Sequence, residues 1–133
     1  MSLIIHTARM GYRGADWLDI TRKGAKERTE PGGHRGMGAA FAPSERLLNE
    51  FLRKRQSRPE GETDREWLDY VDRYTREMRQ SYVSCRESWD RLLACTRCVL
   101  LCYCSVENAS RCHRTILGRD ILPKLGAKYM GEL

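Results

Sequence analysis

The sequence predicts a small α/β domain with a mostly parallel sheet flanked by helices, and three observations carry that expectation. Short apolar runs occur at residues 3–7, 17–21 and 98–104, the stretches between the last two show helical periodicity, and Gly- and Pro-containing breaks separate them. Strands that alternate with helices bury both sheet faces under helices in a three-layer-like arrangement. At 133 residues the chain is expected to be one domain, 1–133, long enough to bury about two thirds of its unfolded surface.

Each element follows in order. Leu3, Ile4 and Ile5 open a β-branched strand, and Trp17, Leu18, Asp19, Ile20 and Thr21 alternate as a second. The stretch after Arg22 holds Gly24, Gly32, Gly33, Gly36 and Gly38 and little that is apolar, so a glycine-rich loop is expected over residues 23–43. A loop of about twenty residues in a compact domain is commonly a functional lid or a mobile segment. Ser44 is a candidate N-cap, and Leu47, Leu48, Phe51 and Leu52 form one face of a helix that Pro59 and Gly61 break. Thr63 and Glu66 have the spacing of a capping box. Trp67, Tyr70, Val71, Tyr74 and Met78 then recur at helical spacing, as a core-facing stripe or as a face that stacks on a cofactor. A further helical run carries Cys85, Trp89, Leu92 and Leu93 toward the sheet.

Residues 98–104 are apolar on both faces, which predicts a central strand. Alternation places Cys98, Leu100, Cys102 and Cys104 on one face and Val99, Leu101 and Tyr103 on the other. Ser110 is expected to cap a helix that begins at Arg111 and holds Cys112, His113 and Arg114 in its first turn. Pro123 and Gly126 mark where that helix ends, and residues 128–130 read as an edge strand through which a second chain could pair, oligomeric state being left open.

Composition narrows the function classes. The longest uncharged apolar run is residues 98–104, far short of the roughly 20 residues a membrane helix needs, so no membrane partner is expected. The start lacks a charged and then apolar leader. The six cysteines, Cys85, Cys95, Cys98, Cys102, Cys104 and Cys112, sit partly in apolar runs rather than in the spaced loops of a secreted scaffold. A reducing, cytoplasmic setting is expected. Of the 24 basic residues only Lys23, Lys26, Lys54, Lys124 and Lys128 are lysines, leaving 19 arginines in a chain of net charge +6. Arginine suits bidentate contact with phosphate and carboxylate, although a compositional bias toward arginine is the alternative cause.

Chemistry concentrates where the central strand runs into the Cys-His-Arg turn, at residues 102–114, because ligands of open α/β sheets bind at the carboxyl ends of strands. The catalytic candidates are Cys112, His113, Cys104 and Asp19; the ligand-binding candidates are Arg9, Arg13, Arg22, Ser110, Arg111 and Arg114. A helix N-terminus favours both an anion and a thiolate at Cys112, with inert packing as the alternative for any of these thiols. His113 serves either as an acid–base group or as a hydrogen-bonded brace for the loop. Asp19 pairs with Arg9 or Arg22, or binds a hydroxyl or acts as a base. The tyrosine-phosphatase spacing of a cysteine, five residues and an arginine fails by one between Cys104 and Arg111. Zinc or an iron–sulfur cluster, on Cys102, Cys104, Cys112 and His113 or on Cys95, Cys98 and Cys102, is an alternative cofactor, disfavoured because neighbouring Cys112 and His113 on a helix diverge by about a hundred degrees, so no metal ligands are assigned.

Several blocks arrive in a specific order: Gly11, Tyr12, Arg13 and Gly14; Leu18 to Gly24; Phe41, Ala42, Pro43 and Ser44; Val99 to Cys104; and Cys112, His113 and Arg114. In this the chain resembles, over nearly its whole length, the family known as domain of unknown function 488, DUF488. The resemblance implies a small α/β domain of a bacterial, archaeal or phage cytoplasm and brings no settled activity. The residues support an enzyme acting on a nucleotide, nucleobase or other phosphate-bearing anion. The alternatives are a non-catalytic module that binds an anionic small molecule or nucleic acid, and a thiol redox or metal-binding protein.

Overall fold

A computed structural model describes residues 2–21, 37–103 and 111–133. Its sheet has four strands, β1 (Ile4–Arg9), β2 (Trp17–Asp19), β3 (Arg97–Cys102) and β4 (Lys128–Glu132), in the order β2-β3-β1-β4. All pairings are parallel, with Ile5 opposite Cys98, Thr7 opposite Leu100, Arg9 opposite Cys102 and Leu18 opposite Leu100. The α/β class is as the sequence predicts, and β3 lies between the two N-terminal strands.

Parallel strands need crossovers, and the crossover from β2 to β3 holds α1 (Glu45–Gln56), α2 (Asp64–Ser84) and α3 (Arg86–Leu93). Strand alternation sends Ile5, Leu18, Ile20, Cys98 and Leu100 to one face, where Leu47, Phe51, Tyr70, Tyr74, Trp89 and Leu92 of these helices cover them. The other face holds Ala8, Trp17, Val99 and Leu101, with Met10 and Tyr12 of the connection after β1 packed against them. Helices α1, α2 and α3 all contribute to the first cluster.

The caps are local and form as read. Ser44 Oγ accepts from the Leu47 amide at 3.3 Å, and the Ser44 amide donates to Glu77 of α2 at 2.7 Å. Thr63 and Glu66 make both halves of the capping box. The aromatic stripe of α2 faces the core, with Tyr70, Tyr74 and Met78 buried and Trp67 and Val71 partly so. Its polar atoms are paired: Tyr74 donates to the Phe41 carbonyl at 2.6 Å, and Trp89 Nε1 donates at 3.0 Å to Ser81, which donates to the Ala40 carbonyl at 2.6 Å.

Two expectations change. The glycine-rich stretch does not stay a loop to residue 43, because Gly38–Phe41 forms a 3-10 turn whose Phe41 enters the core; residues 22–36 lie outside the described residues. The last helix does not begin at Arg111. Cys112 takes an extended conformation, φ −138° and ψ 151°, and helix α4 is His113–Thr115. It continues as a π-helical stretch, Ile116–Ile121, and a 3-10 turn, Leu122–Leu125, closed by Gly126 at φ 102°, a left-handed value that favours glycine. The wide π turn lets Gly118 lie flat on the sheet, where an added Cβ would sit 3.2 Å from Ile5 Cγ2 and 3.3 Å from Thr7 Cγ2. Among the described residues no helix is long and apolar enough to cross a membrane.

Candidate active site

Parallel pairing brings the carboxyl ends of β1, β2 and β3 to one edge. Cys102 ends β3 there, its carbonyl accepting from the Met10 amide at 2.9 Å, and the Ile20 amide donates to the Leu101 carbonyl at 3.2 Å. Cys102 follows Leu100 on the helix-covered face and is buried. The chain returns at Cys112, whose extended backbone turns its side chain back toward that of His113 instead of fanning away around a helix.

His113 is the centre of the group. Its Nε2 lies 2.9 Å from the Ile20 carbonyl oxygen. A carbonyl can only accept, so Nε2 carries the proton and the neutral ring presents an unprotonated Nδ1. That Nδ1 faces two sulfurs, Cys102 Sγ at 3.7 Å and Cys112 Sγ at 3.8 Å. Burial disfavours a charged ring, but the Cys102 sulfur and the Ile20 carbonyl outweigh it and, against the opposing Arg114 charge, lift the imidazole above its ordinary range. The Tyr74 ring packs edge-on at 5.8 Å, and its phenol is held far above the usual range by burial and by the nearby sulfurs.

Arg114 completes the group from beneath. It is fully buried, binds Glu132 of β4 through Nε at 3.1 Å and Nη2 at 2.9 Å, and donates from Nη1 to Cys112 Sγ at 3.6 Å. Burial opposes its charge, and the Glu132 hydrogen bonds with the Cys112 sulfur more than offset that, so it stays protonated. A guanidinium donating to sulfur favours the thiolate.

The predicted residues therefore divide. Cys112, His113 and Arg114 come together, but Arg114 is a buried brace for sulfur rather than a solvent-facing clamp. Asp19 alternates with Leu18 and Ile20, so it points to the face opposite His113, where its Oδ1 accepts from the Thr21 amide at 2.9 Å and the Thr21 hydroxyl at 2.6 Å. Arg111 pairs with Glu62 and Asp64 at the amino-terminal end of α2. Arg9 is exposed beside Cys102, and Arg13 is exposed in the connection that follows. Arg22, Cys104 and Ser110 lie outside the described residues. Sequence reasoning counted Cys102 only among possible metal ligands and not among the catalytic candidates, although its even position with Leu100 on the strand was the available signal. It also missed Glu132 and Tyr74. The ground for setting a metal aside is corrected: Cys102, Cys112 and His113 each offer a ligand atom, all within 4.8 Å of one another, because Cys112 precedes the helix.

A family profile described as the active DUF488-N3 subclade, DUF488-N3a, matches residues 5–126. The chain belongs to the DUF488 family. The match runs from β1 through the whole thiol–imidazole centre of this DUF488 protein and stops before Glu132. No curated protein and no solved structure matches it.

Proposed function

We propose that this DUF488 protein is an enzyme that binds a phosphate-bearing ligand of the nucleotide class and processes it with Cys112 and His113. One observation carries the reading: the Ile20 carbonyl holds the Nε2 proton of His113, which leaves Nδ1 as a base directed at Cys112 Sγ while Arg114 donates to that sulfur. In the reactive step the Cys112 proton passes to Nδ1, the thiolate adds to an electrophilic centre of the ligand, and the imidazolium returns the proton to the leaving group. Separations near 3.8 Å suit a resting site that tightens on binding.

Support for an anion comes from Arg9, exposed beside Cys102 where β3 ends, and from the net charge of +6. The description of the matched subclade as active agrees with a catalytic reading. The test is a thermal-shift screen of nucleotides, nucleosides, inorganic phosphates and short RNA and DNA, followed by iodoacetamide labelling. A nucleotide or phosphate is expected to raise the melting temperature, to lose that effect in Arg9→Ala, and to shield Cys112 from alkylation. A ligand bound equally well by Cys112→Ala, Arg9→Ala and the parent, with no turnover by any, would leave a non-catalytic module. No ligand from any class would sink the anion reading.

A further inference from the structure

We infer that Cys102, Cys112 and His113 form a binding site for one zinc ion, and that its occupancy switches off the thiol chemistry. The site itself stands on geometry; the switching rests on the function proposed above.

A tetrahedral zinc with Zn–S near 2.3 Å and Zn–N near 2.0–2.1 Å holds its sulfur and nitrogen donors about 3.6 Å apart. The separations from His113 Nδ1 are 3.7 Å to Cys102 Sγ and 3.8 Å to Cys112 Sγ. The two sulfurs lie within 4.8 Å of each other against about 3.8 Å on a tetrahedral ion, so a closure of at most about 1 Å between them brings all three donors onto an ion. The outer partners are those of a metal centre. Nε2 donates to the Ile20 carbonyl, which selects the tautomer that offers Nδ1, and Arg114 donates to Cys112 Sγ with its own charge met by Glu132. Two thiolates and a neutral imidazole neutralise a divalent cation, so burial is offset by charge balance. Sulfur and imidazole donors in a buried pocket select zinc over calcium or magnesium, which take oxygen ligands.

Among the described residues no fourth ligand joins the three. With both thiolates on the ion, neither is free to attack an electrophile, and Nδ1 is no longer a base. A metal-free centre and a zinc-loaded centre are thus the reactive and silent forms of one group of atoms.

The test is titration of the reduced, metal-free parent with Co2+, then Zn2+. Tetrahedral cobalt with sulfur-to-metal absorption is expected, saturating at about one equivalent and displaced by zinc. Cys102→Ser and Cys112→Ser should each lose about half the sulfur absorption and weaken zinc binding by more than the roughly hundredfold that loss of an outer partner costs. Cys85→Ser and Cys95→Ser should change neither. Cobalt bound without sulfur absorption, or with absorption that survives both Cys102→Ser and Cys112→Ser, overturns the site. If those variants fail to fold, X-ray absorption of the zinc-loaded parent decides: about two sulfurs and one protein nitrogen are expected, and a shell of four sulfurs or none overturns it. Iodoacetamide separates the two readings. Zinc must shield Cys112 while exposed Cys85 still reacts, and labelling of Cys112 at an undiminished rate sinks the switch. A Cys112 already inert without metal, in a chain whose cobalt spectrum is as expected, sinks the thiol function and leaves the zinc site standing.

Discussion

Arg114 is fully buried with a bidentate partner, Glu132, that is itself mostly covered. Taking one member from such a pair strands the other charge, so Arg114→Ala is expected to cost about 3–5 kcal/mol. A urea denaturation curve measures it, and an unchanged midpoint would remove Arg114 from its bracing role. The thiols should separate by environment. Burial pushes Cys98 far above the usual thiol range, with neighbouring Cys95 and Asp16 adding to the shift, whereas Cys85 is exposed. Alkylation between about pH 7 and 9 should therefore mark Cys85 and spare Cys98 in the folded chain, and equal labelling of both would contradict the burial of β3. The alternation of β3 made the position of Cys98 readable from sequence. The partnership of Cys102 with His113 was not, since it depends on where the strand stops and on the backbone angle at Cys112.

At the scale of elements, the π-helical stretch and the capping box make contrasting predictions. Gly118 faces the side chains of Ile5, Thr7 and Leu100 at 3.2–3.4 Å from where a Cβ would lie, so Gly118→Ala should force overpacking and cost about 1–3 kcal/mol. A shift in chemical-denaturation midpoint reports it, and a neutral result would mean that the stretch lifts easily from the sheet. In the capping box, the Thr63 amide hydrogen bond chiefly holds the Glu66 carboxyl below its ordinary value, against an opposing desolvation effect and with Arg58 adding to it. Because the folded value is the lower one, its contribution is present above the unfolded carboxyl range and is lost as pH falls through the folded value. The melting temperature of the parent should exceed that of Glu66→Gln near neutrality and converge with it as pH falls through the folded carboxyl value; curves that stay parallel would deny the box its role. Cap signals were legible because they span three or four residues. The π-helical stretch was not, because it answers to the sheet beneath it rather than to its own residues.

At the scale of the molecule, one cluster joins the helices to all four strands on a single face, from Leu3 and Ile5 through Leu100 to Ile116 and Leu122, with Tyr129 of β4 packed against it. Leu100 is fully buried in the middle of that cluster. Leu100→Ala is expected to cost about 2–5 kcal/mol in one cooperative transition, and to release the Cys112 turn at the same denaturant concentration as the helices. Circular dichroism and the rise of labelling at buried Cys112 above its folded-state rate, followed together across the transition, check this, and separate midpoints would show that the site unfolds on its own. The edge position of β4 matters here because its last residue, Glu132, supplies the counter-ion of Arg114. The connection after β1 covers the second face with Met10 and Tyr12, a role that its short length and loop-like composition did not announce.

Fold class, strand faces, helix caps and the Cys-His-Arg turn as a candidate site all follow from patterns a few residues long, since side-chain alternation, helical periodicity and capping are short-range physics. The composition of the centre does not. His113 receives its tautomer from a carbonyl 93 positions away and its second sulfur from a strand end 11 positions back. Arg114 finds its carboxylate 18 residues later, on a strand that reaches it only by pairing with β1. These contacts exist only once the parallel strands have set their common edge, and no local pattern encodes which atoms meet there.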